Sequence, residues 1–427
     1  MQGSGLKIIE GKIGHDTMAR YLMDRYTFKT LTDTEEILIY DEKKGYYTSS
    51  SLATIKRAVH KILTENGLAD LSKRSYINEV TAFIQRSTYR KREKFNSQPH
   101  LLNIENGILR IKKGKVIPHT PKFLSTTRIP VIYDEKAKWP NIDRFFSQIV
   151  SDEDVPVLIE IFAWCLDLNS PIQRFIILVG DGANGKSTFL SLLRTFMGDN
   201  NCSSVTLQSL SHNRFASSEL YGKFVNIYPD LPSTLVRDTG LLKALTGGDS
   251  ISAERKFERG FTFVNTAKLI FSANKPPMID DESYAIWRRA VIIKFPNRFS
   301  GETRDPDLIN KLTTSEELSG LLNSAIVKLE ILRERGDFSY DPSWKGTRDK
   351  YTIMSEPVVA FVESECAMDS LEEVPKPELF KAYRRFCIQA KIPVGTNRAF
   401  GRILKRKYKG TIRERQNNWE GITLKQR

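Results

Sequence analysis

The chain has 427 residues, with 65 Lys and Arg against 51 Asp and Glu, and a formal charge of +14 at pH 7. That length allows a sizeable core and two or three domains, which excludes a peptide-scale module. No apolar run approaches the ~20 residues that cross a bilayer and no N-terminal segment resembles a signal peptide, so a cytoplasmic protein, or one at another intracellular site, without a membrane partner is expected.

Residues 6–104 mix charged helical patterns, at 52–63 and 75–86, with a strand-like piece at 37–40. A basic run, Arg86 to Arg92, does not separate nucleic-acid contact from an exposed helix face and is left unassigned. Asn106-Gly107 and Lys113-Gly114 mark turns in β structure over 103–116. Pro118, Pro121, Pro130 and Pro140 then keep the chain extended before helical periodicity returns over 141–168. Cys165, Cys202, Cys366 and Cys387 are too scattered for a metal knuckle or a disulfide framework and read as core thiols.

The apolar run 175–179 suits a buried parallel strand and 188–196 a helix. Between them stands Gly180-Asp181-Gly182-Ala183-Asn184-Gly185-Lys186-Ser187, followed by Thr188, which fits the G-x-x-x-x-G-K-[ST] phosphate loop. The glycines let backbone N–H groups cradle phosphates at a helix N-terminus, Lys186 reaches the β- and γ-phosphates, and Ser187 faces Mg²⁺. ATP and Mg²⁺ are therefore the expected cofactors.

Next comes the strand-like run 224–227, which ends at Tyr228-Pro229-Asp230 and puts a carboxylate at the strand's C-terminal edge, where the Mg²⁺ of a nucleotide sits. Asp230 is the candidate second-strand acid, holding Mg²⁺ and orienting the attacking water. After a polar stretch, Lys256, Phe257 and Arg259 stand at a basic tip beside the alternating run 261–264, as in a β-hairpin that offers charge to phosphates and a ring to bases. The strand 268–273 ends in Asn274, placed to sense a γ-phosphate. Arg288-Arg289 precede the strand 290–295, and Arg289 fits an arginine finger reaching a neighbouring subunit.

A polar stretch at 337–347 reads as a linker, which gives expected domains at 1–140, 141–340 and 348–427. From Leu371 onward 15 Lys and Arg face only 5 Asp and Glu. Two helical patterns, 377–390 and 397–407, and a hairpin over 412–424 turning at Asn417-Asn418 make a helix–turn–helix with a wing. Phe400, Ile403 and Leu404 then face the core, leaving Arg398, Arg402, Lys405 and Arg406 for DNA.

In order, GDGANGKS, NIYPD, LTGGDSISAERK, KLIFSAN and WRRAVIIKF resemble the superfamily 3 helicases, specifically the poxvirus-type primase-helicase branch of viruses, phages and plasmids. The segment 103–134 is similar to the one that precedes the helicase core in that branch, and 350–406 to its C-terminal winged-helix region; residues before about His100 carry no such match. The resemblance implies an α/β fold: an AAA+-like P-loop ATPase core, a mainly helical N-terminal region and a C-terminal winged-helix domain. It also implies a replicative DNA helicase that assembles as a homo-hexamer, threads single-stranded DNA and unwinds forked DNA, usually 3′ to 5′. Lys186, Ser187, Asp230, Asn274, Lys256 and Arg289 take the family's roles by position. The single Asp230, where relatives commonly have adjacent acids or a glutamate, leaves the catalytic base open. No acidic cluster resembles a primase active site, so a helicase portion working with a primase or polymerase partner is expected. Two rivals stay open on the motifs: an ATP-switched initiator or loader that does not translocate, and a packaging-type ATPase on duplex DNA.

Overall fold

The computed structural model describes residues 12–49, 51–213, 215–236, 238–254, 260–281, 283–340 and 343–425. The N-terminal part runs α1 (His15–Arg25), β1 (Phe28–Leu31), β2 (Ile37–Asp41), β3 (Tyr46–Thr48), α2 (Ser51–Glu65), α3 (Arg74–Thr88) and β4 (Tyr89–Arg90). Its four strands form one sheet in the order β3-β2-β1-β4, with β1 and β4 parallel. Both predicted helices are present, but one strand-like piece in the sequence becomes a sheet. The strands β1, β3 and β4 are too short to carry an alternation signal.

A small antiparallel sheet follows, β5 (Leu101–Ile104), β6 (Gly107–Arg110) and β7 (Lys115–Ile117); its first turn is Glu105-Asn106, one residue earlier than expected, because Gly107 already pairs with Ile104. The helical stretch after it is two helices, α4 (Pro140–Ile149) and α5 (Val155–Leu166). Pro140 and Pro156 each sit in a first turn, where the missing N–H is not needed.

The centre is β8 (Phe175–Val179), α6 (Lys186–Met197), β9 (Cys202–Ser203), α7 (Leu207–His212), β10 (Val225–Tyr228), α8 (Gly240–Gly247), β11 (Ser250–Ala253), β12 (Phe261–Val264), β13 (Lys268–Ala273), α9 (Tyr284–Trp287), β14 (Ala290–Lys294), α10 (Leu308–Leu312) and α11 (Ser315–Arg335). Five strands, in the order β14-β8-β13-β10-β9, form one all-parallel sheet. Every residue of β8 and β13 is buried, because both faces are covered, which is why these strands read as continuous apolar runs. One face packs on α4, α5, α6 and α11 through Phe146, Phe162, Phe189 and Leu322. The other packs on α8, the β11–β12 ribbon and Trp287.

The C-terminal part comprises α12 (Trp344–Ser355), α13 (Pro357–Glu365), β15 (Cys366–Ala367), β16 (Glu373–Pro375), α14 (Lys376–Gln389), α15 (Asn397–Lys407), β17 (Arg413–Arg415), β18 (Asn418–Glu420) and β19 (Thr423–Leu424). Its own core, from Val358 to Ile422, includes Phe361, Tyr383, Phe400 and Trp419. Phe400 and Leu404 are buried and Ile403 packs against them, as the helical pattern required. The hairpin turns at Gln416-Asn417, one residue earlier than expected, since Gln416 takes the left-handed conformation at φ 39°.

The stretch read as a linker is anchored instead. Arg174 Nε donates to Asp337 Oδ1 at 2.8 Å, and Phe338 and Tyr340 are buried in the core beneath α5. The boundary expected at 348 falls inside α12, whose Tyr351 packs in the sheet's second core cluster and donates to the Pro277 carbonyl. Polarity misled the sequence reading, because Asp337, though partly exposed, pairs with the buried Arg174. All four cysteines are buried. No helix among the described residues is long and apolar enough to cross a membrane.

One carboxylate ties the last core helix to the first. Glu317 of α11 is buried; its Oε1 accepts from the Asn141 backbone N–H at 3.0 Å and Asn141 Nδ2 at 2.8 Å, and its Oε2 from the Ile142 N–H at 3.0 Å. Negative charge at the N-terminus of α4 satisfies donors that the helix cannot, and the dipole favours it. Glu317→Ala strands those amides and should lower unfolding free energy by about 2–3 kcal/mol in a denaturant titration, with Glu317→Gln losing less.

Candidate functional site

The loop after β8 is shaped by positive φ angles at Gly182 (92°), Ala183 (49°) and Gly185 (90°). A Cβ at Gly185 would stand 2.5 Å from Ile149 Cγ2, so this glycine is also needed for the close approach of α4. Phe299 N–H donates to the Ala183 carbonyl at 2.7 Å and braces the loop from the segment after β14. The first-turn amides of α6 follow directly, without intrahelical acceptors.

Lys186 is buried at the first position of α6. Its Nζ donates to the Gly180 carbonyl, to Asn184 Oδ1 at 3.0 Å and to Asn274 Oδ1 at 3.4 Å. Burial pulls its pKa down, while Asp181 and Asp230 hold it up. Asp230 and Asn274 arrive by topology, since β10 and β13 run parallel to β8 and both residues follow the C-terminal ends of their strands. Leu231 N–H donates to the Ser272 carbonyl at 2.7 Å and pins the Asp230 turn to β13.

An open cavity of about 1220 Å³ is lined by Gly182 to Thr188 together with Asp230 and Asn274. The structure thus brings together Lys186, Ser187, Thr188, Asp230 and Asn274; Gly180 and Asp181 form the loop's base. These groups fit a nucleoside triphosphate: backbone amides and a buried ammonium for phosphate oxygens, with a hydroxyl and a carboxylate beside them.

The cavity also holds groups the sequence reading missed. Arg144 and Phe145 of α4, and Arg298, Phe299 and Arg304 after β14, line the same cavity. Their signal was weak: Arg298-Phe299 reads as an ordinary loop until β14 is known to lie beside β8. Of the two acids on the cavity wall, Asp305 is taken by Lys311 at 2.7 Å, which leaves Asp230 as the carboxylate next to Lys186 and Asn274.

Arg289 is not part of this cavity. It precedes β14 at the N-terminal edge of the sheet, where Phe175 N–H donates to the Arg289 carbonyl at 2.8 Å. The phosphate loop leaves the other end of β8, and five residues of strand separate the two by roughly 16 Å. Arg289 is buried, with Nη1 donating to the Ala285 carbonyl at 2.6 Å; Arg288 is half-buried. Burial and the neighbouring Arg288 charge push the pKa of Arg289 down, against the pull of Asp249.

The predicted hairpin has its stem in the antiparallel pair β11–β12, Ser250 opposite Val264 and Ala253 opposite Phe261. Its tip residues Lys256, Phe257 and Arg259 lie outside the described residues. Tyr221 packs on both Phe261 and Phe263 of the stem and carries the guanidinium of Arg92 over its ring at 4.8 Å. The unassigned basic run therefore ends in a contact beside the hairpin stem. On α15, Arg398, Arg402, Lys405 and Arg406 are all exposed, but Lys405 is paired with Glu414 of β17.

Two families match the chain: residues 19–151 match one described as D5 N terminal like, and residues 178–289 match DUF5906, a family of unknown function. The first match reaches well before His100, where no motif was legible. The chain is 27% identical over 212 residues to "Putative helicase L207/L206" of Acanthamoeba polyphaga mimivirus, covering 47% of this chain and 22% of that protein. It is 23% identical over 278 residues to "Putative helicase 121R" of Invertebrate iridescent virus 3, covering 59% and 28%. The chain thus spans less than a third of the length of either relative. Among solved structures, the C-terminal region of NrS-1 in its apo A form superposes with a TM-score of 0.50 at 12% identity, over 97% of this chain and 100% of that one, which shows a shared fold. Motif order, matched families and relatives agree: the chain is a distant relative of the D5-like superfamily 3 primase-helicases of viruses.

Proposed function

We propose that this chain is the motor portion of an ATP-dependent replicative DNA helicase, working as a homo-hexameric ring that translocates on single-stranded DNA and unwinds forks 3′ to 5′. The observation that carries the reading is the separation of the arginine pair from Lys186, Asp230 and Asn274 across one parallel sheet. An arginine at that edge has no route to its own phosphates, whereas a ring brings it to the next subunit's cavity.

In that arrangement ATP with Mg²⁺ supplies the scissile phosphoanhydride and neutralises charge on its oxygens. The first-turn amides of α6 and Lys186 bind the phosphates. Ser187 and Asp230 hold the cation, and Asp230, which follows the strand next to that of Asn274, also orients the attacking water. Asn274 fixes that water on the γ side and already shares Lys186 as a neighbour. Arg289 of the adjoining subunit then stabilises charge that develops only in the transition state. Lys256, Phe257 and Arg259 follow the strand in the channel, and Arg398, Arg402 and Arg406 of a winged-helix domain hold DNA backbone outside it, with Lys405 bracing the wing. A primase or polymerase, either a partner or a further part of a longer chain, would use the exposed template.

The test is hydrolysis with and without single-stranded DNA, alongside displacement of a labelled strand from a fork with a 3′ tail. Stimulated hydrolysis with displacement is expected; ATP and DNA binding without displacement would move the assignment to an initiator or loader. Lys186→Ala should abolish nucleotide binding. Arg289→Ala should lower turnover by about 10³-fold with ATP affinity nearly intact. Mixtures of the two variants should show rescue or poisoning that depends on their ratio, and strictly proportional activity would exclude shared sites.

A separate assay addresses the hairpin. Lys256→Ala should keep basal hydrolysis and lose unwinding, and unchanged strand displacement would remove the hairpin from the mechanism.

A further inference from the structure

Gln173, two residues before β8, occupies a junction that neither the motifs nor the matched families explain. Its Oε1 accepts from Arg288 Nη2 at 2.7 Å and from Arg289 Nη2 at 3.1 Å. Its Nε2 donates to the Gly247 carbonyl at 3.1 Å. A guanidinium has donors only, so the amide oxygen must face the arginines and the amide nitrogen must face Gly247.

The three partners belong to two functional elements. Arg288 and Arg289 are the arginine pair at the sheet edge. Gly247 closes α8, Gly248 turns the chain at φ 81°, and β11 of the hairpin stem begins at Ser250. One side-chain amide therefore spans from the arginines to the root of the hairpin.

The surrounding backbone is held independently. Arg174 donates to the Arg288 carbonyl and pairs with Asp337, and Phe175 N–H donates to the Arg289 carbonyl at 2.8 Å. The main chain at the pair is thus fixed; the Arg289 head is held further by the Ala285 carbonyl at 2.6 Å, and Gln173 is the side chain that joins the two guanidinium heads to each other. Two like charges converge on one neutral oxygen, while Arg289 Nε is buried without a partner. An acceptor shared by two cations holds both heads together, and releasing either one leaves the oxygen to the other.

We infer that Gln173 is a positioning residue: it presents the arginine pair to the neighbouring subunit's phosphates and ties that pair to the hairpin stem through Gly247. The inference rests on the shared-site reading above. When the DNA-bound hairpin shifts α8, the Gly247 carbonyl pulls on the amide that orients the arginines, so DNA position and hydrolysis in the next subunit are linked through one side chain.

The experiment is a double-mutant cycle on the full chain, reading kcat, KM, mant-ADP affinity and stimulation by oligo-dT. Gln173→Leu removes the acceptor and the donor at similar volume. It is expected to lower kcat at least tenfold, leave KM and nucleotide affinity within twofold, and erase stimulation by DNA. On an Arg289→Ala background the same substitution should add less than twofold, because residues acting through one another are not additive. Gln173→Glu keeps an oxygen for the arginines but loses the donor to Gly247, so it should recover turnover relative to the Leu variant without recovering DNA stimulation. Additive losses, a silent Gln173→Leu, or a Gln173→Glu variant with normal DNA stimulation would each overturn the inference. Nucleotide affinity and ring assembly check folding, and a Leu variant that fails them leaves the Glu variant to decide. If Arg288→Ala and Arg289→Ala themselves keep full turnover, the shared-site reading falls first; if they lose it while Gln173→Leu does not, only the role of Gln173 falls.

Discussion

The polarity of one parallel sheet governs where everything else stands. Because β14, β8, β13, β10 and β9 all run the same way, every strand delivers its C-terminal residue to one edge and its N-terminal residue to the other. The cavity groups collect at the first edge: the loop after β8, Asp230 after β10 and Asn274 after β13. Gln173, Arg174, Arg288 and Arg289 collect at the second. Ligands of open parallel sheets bind at the carboxyl ends of strands, where helix N-termini point inward, so the two edges differ in chemistry by construction.

Buried charges hold the surrounding parts against this sheet. Glu160 of α5 is fully buried and accepts from Arg335 Nη2 at 2.7 Å and the Ser339 N–H at 2.8 Å. Arg333 donates to Asp167 at 2.8 Å and to the Pro99 carbonyl at 3.0 Å, joining α11 to the segment before β5. Isolated surface ion pairs are worth little, but a buried carboxylate whose oxygens are all used fixes geometry, because losing any partner leaves charge uncompensated in low dielectric. Glu317 places α4, and α4 supplies Arg144 and Phe145 to the cavity wall. In the N-terminal part, Arg92 is held by Asp33 at 2.6 Å and lies over Tyr221, so the hairpin stem is packed from that side as well.

Much of the site was legible because its chemistry is local in sequence. A phosphate loop needs a strand, a glycine turn and a helix in direct succession, and residues 175–197 state all three. Asp230 and Asn274 were legible because each ends an apolar run. The anchored stretch at 337–340 was not, since its polar composition is that of a linker and its partner, Arg174, is 163 residues away. Gln173 carried no signal either, as a lone glutamine before a strand has no pattern until β14 is known to lie beside β8.

The sequence by itself determined the phosphate-loop pattern, the strand and helix types around it, the acid and amide that follow two of the strands, and the basic character of the C-terminal end. These follow from short-range rules: hydrophobic period, glycine conformational freedom and capping at helix starts. Only the tertiary structure decided which strands are neighbours, and therefore that Lys186, Asp230 and Asn274 share a cavity while the arginine pair faces away from it. Strand order depends on how helices cover both faces of the sheet, a property of the whole buried core that no local window of residues contains.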